Sequence, residues 1–171
     1  MMKITTMEDL FAHDLQDLRS AEVQLVEALP KMAAAASNSE LKRAFTQHLK
    51  QTENHVARLD AALKQIGKGP GREKCKGMQG LIEEGESAIE DVTSPDILDA
   101  ALIGAAQRVE HYEIAGYGTA RAHAEVLGMK DMVDLLQTTL DEEGEANKLL
   151  TQLADGRLAI GINERAAAGS R

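Results

Sequence analysis

Apolar residues recur at three- and four-residue spacing through most of the chain, the periodicity of a helix with one buried face. A first helix is predicted from about Met7 to Ala36, on the stripe Phe11, Leu15, Leu18, Glu22, Leu25, Leu29 and Met32. Thr5-Thr6-Met7-Glu8 has the form of its capping box, and Pro30 is expected to kink it near its end. A second helix opens at Ser37-Asn38-Ser39-Glu40 and runs to Ile66, on the stripe Leu41, Phe45, Leu49, Thr52/Glu53, Val56, Leu59 and Leu63. Gly67-Lys68-Gly69-Pro70-Gly71 stops it. Met78, Leu81, Ile82, Ile89 and Val92 mark a short amphipathic crossover helix before Ser94. Ser94-Pro95-Asp96 is a helix start, with a hydroxyl cap, proline in the first turn and a dipole-matched acid. That helix reaches about Leu127, where Gly128 ends it, and a last long helix spans about Lys130 to Ala154 before Asp155-Gly156.

Two short turns and one long connection make two antiparallel hairpins joined by a crossover, the all-α four-helix bundle with a short fifth helix. No segment alternates as a strand does. The predicted domain is residues 1–156, with 157–171 as a loosely held tail.

Composition narrows the partners. With 171 residues the chain suits one domain with a real core; 19 Lys and Arg against 28 Asp and Glu give a net charge of −9. Nucleic acid and anionic membranes both call for a basic footprint, so neither is expected as a partner. Aromatic residues are 2% of the chain, too few for a base-stacking surface. Cys75 is the single cysteine and has no disulfide partner in the chain. Charges are scattered from Glu8 onward, no apolar leader precedes Lys31 and no stretch is long enough to span a bilayer. The expected location is the cytoplasm.

Acids interrupt the stripes. Glu22 falls between Leu18 and Leu25, Glu143 between Thr139 and Ala146, and Glu110 and Glu113 lie one turn apart on the inner face of the third long helix. Glu53 flanks the second stripe. Counted from turn centres near 37.5 and 128.5, Glu22, Glu53 and Glu113 each lie about 15.5 residues away and Glu143 about 14.5, so each hairpin holds its acids within about one turn of a common height. A lone Glu beside a stripe is ordinarily an edge residue with its head in water. Acids on four helices at matching heights are not ordinary, because unpaired buried carboxylates are costly. The stripes hold no Lys or Arg, and two divalent cations would set +4 against the −5 of these five groups. Asp141 and Glu142 point off the stripe and are expected in solvent.

Ala21-Glu22-Val23-Gln24-Leu25, His48-Leu49 with Thr52-Glu53, the run ALIGAAQRVEHYEIAGYGT from Ala101 to Thr119, and Leu140-Asp141-Glu142-Glu143 resemble the YciE/YciF family of bacterial stress-associated proteins, within the ferritin-like superfamily. The similarity covers about residues 4–155. It implies a ferritin-like bundle with a crossover helix, a homodimer and a rubrerythrin-like metal site. It also implies metal ligands at Glu22, Glu53, Glu110, Glu113 and Glu143. One departure stands out. Ferritin-like sites usually carry Glu-x-x-His on two helices, whereas Val56 follows Glu53 and Ala146 follows Glu143 at that spacing. His55 lies about 200° around the helix from Glu53, and His48 and His111 are likewise read as turned away from the ligand positions.

An all-oxygen set suits hard or borderline cations, and two Fe or Mn ions are the expected cofactors. Tyr117, one turn after Glu113, is read as a core tyrosine or as a hydrogen-bond donor to a ligand carboxylate. Two functions are compatible with this sequence. The first is a di-metal carboxylate protein of the stress response with weak ferroxidase or peroxide-detoxifying activity. The second is a non-enzymatic helical protein that acts through dimerisation. No nucleophile–base pair, phosphate loop or dinucleotide fingerprint is present.

Overall fold

In the computed structural model, which describes residues 3–156 and 161–169, every regular element is a helix. These are α1 (Met7–Ala35), α2 (Ser39–Gln65), α3 (Lys76–Asp91), α4 (Pro95–Val126), α5 (Lys130–Asp155) and α6 (Ile162–Gly169). The starts of α1 and α2 follow the capping chemistry with a shift of one residue, whereas the Ser94 hydroxyl makes no capping hydrogen bond at the start of α4. Thr6 caps α1 by accepting from the Asp9 amide, and the Asp9 carboxylate accepts in return from Thr5. Asn38 caps α2, accepting from the amides of Glu40 and Leu41. Pro30 sits inside α1, which continues to Ala35.

Gly67 and Gly128 close α2 and α4 in the left-handed conformation, with φ of 69° at both. At each end the next residue's amide reaches back five residues, Lys68 to Leu63 and Met129 to Ala124. A side chain at either glycine would strain that reversal.

The long helices pack in the ring order α1–α2–α5–α4, with α3 laid against α1 and α4. Asp99, near the start of α4, accepts from the Ser37 amide, the Ser37 hydroxyl and the Asn38 amide at 2.6–2.9 Å. The turn between α1 and α2 is thus tied to the beginning of α4, which makes α3 the crossover that carries the chain back along the bundle. Two apolar clusters fill the interior. Leu25, Leu29, Leu41, Phe45, Leu102 and Leu150 belong to one, and Phe11, Leu15, Leu59, Leu63, Met132 and Leu136 to the other. Between them lies a polar layer.

The expected loose tail is instead helical where it is described. Ile162 is buried in the first apolar cluster, and Arg165 pairs with Asp96 at the start of α4. Ile162 and Arg165 are among the anchors of a helix too short to show a periodic pattern. Residues 157–160 and 170–171, also assigned to that tail, lie outside the described residues.

Candidate metal centre

The polar layer draws on all four long helices. Glu22 comes from α1, His48, Thr52 and His55 from α2, Glu110, Glu113 and Tyr117 from α4, and Thr139 and Glu143 from α5, all buried. The three- and four-residue spacing that carries leucines to the core above and below carries these groups inward at mid-height. His48 and His55 are two turns apart on α2, yet their rings converge to 6.4 Å between centroids.

His55 Nδ1 lies 2.9 Å from Glu143 Oε1 and 3.3 Å from Glu22 Oε1. His48 Nε2 lies 3.4 Å from Glu110 Oε1 and 3.6 Å from Glu143 Oε2. Proximity here does not amount to hydrogen bonding. Eight buried side-chain atoms find no hydrogen-bond partner among the described residues. They are Glu22 Oε2, His48 Nε2, His55 Nδ1, Glu110 Oε2 and both carboxylate oxygens of Glu113 and of Glu143. All eight belong to this layer. Native interiors leave few buried polar atoms unsatisfied.

The outward-facing atoms are satisfied. His55 Nε2 lies 2.8 Å from Glu142 Oε2, and Glu142 is also held by Arg58, whose Nη2 donates to Glu142 Oε1 at 3.0 Å. In the neutral imidazole, a proton on Nε2 pointing at that carboxylate would leave the Nδ1 lone pair for the interior. His48 Nδ1 lies 3.4 Å from the Gln51 side-chain carbonyl, which directs Nε2 inward in the same way. The Tyr117 hydroxyl donates to Glu22 Oε1. Each histidine is thus fixed from behind by an acceptor, the arrangement found behind metal-ligating imidazoles.

Electrostatics show what this costs without a cation. Burial raises the pKa of Glu113 well above its ordinary value, and the charges of Glu22, Glu143 and Glu110 add to that. Glu110 is raised for the same reasons, burial first and then Glu143. Glu22 is raised by burial against the opposing pull of His55. Burial by itself would depress His55, but Glu143 and Glu22 outweigh it and push the imidazole to about 10. Outside, the Arg58 guanidinium holds Glu142 below the usual carboxylate range.

Two groups of donor atoms, each within 4.8 Å of one another, could hold a metal ion: His48, Glu110, Glu113 and Glu143, and Glu22, His55 and Glu143. Glu143 belongs to both. The donors are carboxylate oxygens and imidazole nitrogens, a set suited to hard and borderline divalent cations. Cys75 is not among them; its thiol contacts Tyr112 and Asp17 at the α3 N-terminus.

Comparison with known proteins agrees with this architecture. The DUF892 family, described as a domain of unknown function, matches residues 6–167. Protein YciF of Escherichia coli K12 is 46% identical over 154 residues, which is 90% of this chain and 93% of YciF. The chain belongs to the YciF family. The crystal structure of YciF, described as an E. coli stress protein, superposes with a TM-score of 0.85 over 88% of this chain and 95% of that one. YcfI of Rhodopseudomonas palustris, described as a structural protein, is 44% identical with a TM-score of 0.86, over 89% of this chain and 97% of that one. A ferritin-like, diiron-carboxylate protein of Bacillus anthracis is 16% identical with a TM-score of 0.69, over 88% and 99% of the two chains. That last likeness bears on the fold alone, and it makes the fold of this YciF-family chain ferritin-like.

Four of the five acids singled out in the sequence come together: Glu22, Glu110, Glu113 and Glu143. Glu53 does not. It is exposed, because α2 turns a different face inward. The buried residues of α2 run Leu41, Phe45, His48, Thr52, His55, Leu59. At about 100° per residue, Glu53 lies about 120° from the centre of that arc, while His48 and His55 lie within about 40° of it. His48 and His55, expected from the sequence to turn away, instead face the interior beside the four acids. The signal was present in the unbroken 4-3-4-3-4 run from Leu41 to Leu59. Glu142, expected in solvent, is half-buried between His55 and Arg58. Tyr117 is a buried core tyrosine whose hydroxyl donates to Glu22, which fits both of its readings.

Proposed function

We propose that this protein binds two divalent cations, Fe or Mn, inside its bundle and works in a bacterial stress response, as a ferroxidase or by removing peroxide. The observation that carries the reading is the convergence from four helices of eight buried carboxylate and imidazole atoms without a hydrogen-bond partner among the described residues. The two donor groups share Glu143, whose two oxygens would serve both ions. His48, Glu110 and Glu113 would hold one ion, and Glu22 and His55 the other. Bound iron would supply reversible one-electron chemistry; the chain's own part is to position the ligands, keep the site dry and, through Tyr117 and Glu142, orient Glu22 and His55. The link to stress rests on the description of YciF as a stress protein. A homodimer in the cytoplasm is proposed with it from the family resemblance, and no described helix is long and apolar enough to cross a membrane.

The test is metal analysis of protein purified without chelator, followed by iron-dependent consumption of oxygen or peroxide. Stoichiometric metal with turnover supports the full reading, and metal without turnover reduces it to metal binding. The description of YcfI as a structural protein favours a second reading, a non-enzymatic scaffold. That reading predicts no stoichiometric metal.

A further inference from the structure

The seam between α2 and α5 is closed at one height and open at the next. At the level of His55 the Arg58–Glu142 pair spans the two helices, and Arg58 also donates to Thr139 at 3.2 Å. One to two turns away, the same seam opens into a pocket of about 300 Å³ walled by Phe45 and Gln51 of α2 and by Ala146 and Leu149 of α5. Its walls also include His48 and Glu110, two members of the candidate metal cluster. Exposure follows the same asymmetry. Glu22, His55, Glu113 and Glu143 are each 0% exposed, whereas His48 is 7% and Glu110 3%. A pocket on the opposite face, between α1 and α4, is lined by Asp14, Tyr112 and Thr119 and contains no member of the cluster.

We propose that the α2–α5 pocket is the port through which small solutes, divalent cations first among them, reach the cluster, and that the group built on His48 and Glu110 is the one they meet first. The walls suit that role. Gln47, Gln51 and Gln152 offer amide oxygens that can replace water around a cation in transit, and Lys148 at the rim is matched by Glu145, so the entrance carries no large net charge. Gln51 both lines the pocket and holds His48 Nδ1, which couples the port to the orientation of the first ligand. The His55 side, behind Tyr117 and the Arg58–Glu142 pair, is then filled from within. This inference rests on the metal-binding reading above.

The test plugs the port after folding. Ala146→Cys protein is prepared metal-free and alkylated with a bulky maleimide, with Thr119→Cys treated identically on the opposite face; peptide mapping confirms that Cys75 stays unlabelled. Uptake of Co(II) is followed by stopped-flow absorbance. Labelling at 146 is expected to slow uptake at least ten-fold without changing the final stoichiometry, while labelling at 119 leaves the rate unchanged. Unchanged uptake after labelling at 146, or slower uptake from 119, overturns the port but leaves the metal site standing. Failure of the unmodified protein to bind Co(II) overturns the metal-binding reading itself, and the port with it.

Discussion

Replacing Glu113 by glutamine should stabilise the metal-free protein, the reverse of what a buried polar substitution ordinarily does. Neither Glu113 oxygen has a hydrogen-bond partner among the described residues, and burial together with three neighbouring carboxylates raises its pKa well above 4.5. The folded state therefore binds a proton that the unfolded chain has released once the pH passes 4.5. With folded-state pKa above unfolded-state pKa, the associated stability is fully present below pH 4.5 and is lost as pH rises toward the folded value. The slope is about 1.4 kcal/mol per pH unit, so three units, to pH 7.5, set a ceiling of about 4 kcal/mol. Glutamine matches the size and shape of the protonated acid and has no proton to lose, so packing changes cancel to first order. Urea denaturation of chelator-treated wild type and Glu113→Gln should give curves that coincide near pH 4.5 and separate by about 2–4 kcal/mol at pH 7.5, or roughly 5–15 °C in Tm. Saturating Mn(II) should reverse the order, because the variant has lost a ligand. A variant less stable than wild type in chelator at pH 7.5, or a gap that does not change with pH, refutes the reasoning.

Four further substitutions separate the roles of individual residues. Glu53→Ala should leave stability within about 0.5 kcal/mol and the Mn(II) stoichiometry unchanged, whereas His55→Ala should remove one equivalent; isothermal titration reads both. Glu142→Ala frees His55 Nε2 from its acceptor and should weaken metal binding about 10–100-fold, with the helical circular dichroism unchanged. Asp99→Ala leaves the Ser37 and Asn38 amides without their acceptor and should destabilise the protein by about 2–4 kcal/mol in urea titration, with no loss of bound metal.

The helical architecture was legible because its punctuation is local. Ser94-Pro95-Asp96, Gly67 and Gly128 mark boundaries through backbone chemistry alone, and the predicted limits agree with the helices to within a few residues. Glu22, Glu110, Glu113 and Glu143 were legible because each falls in a stripe of core positions at three- and four-residue spacing. On α2 two stripes compete. Leu49 and Val56 draw the eye to a face that includes Glu53, and both are only half-buried. Histidine fits a core face or a wet one, so hydropathy does not choose between them; the partners across the bundle, Glu22, Glu110, Glu142 and Glu143, do. The docking of α6 was illegible for a related reason. It depends on Ile162 and Arg165 finding sites on elements far away in the chain, and no local pattern announces that.

Cations that neutralise the acidic layer at the middle of the bundle should be directly visible. Anomalous diffraction at the iron and manganese edges, from crystals of protein never exposed to chelator, tests this most directly. Two peaks are expected, one among His48, Glu110, Glu113 and Glu143 and one among Glu22, His55 and Glu143. Crystals that diffract well, show these side chains ordered and give no anomalous density between them even after soaking in Fe(II) or Mn(II) would contradict neutralisation by cations.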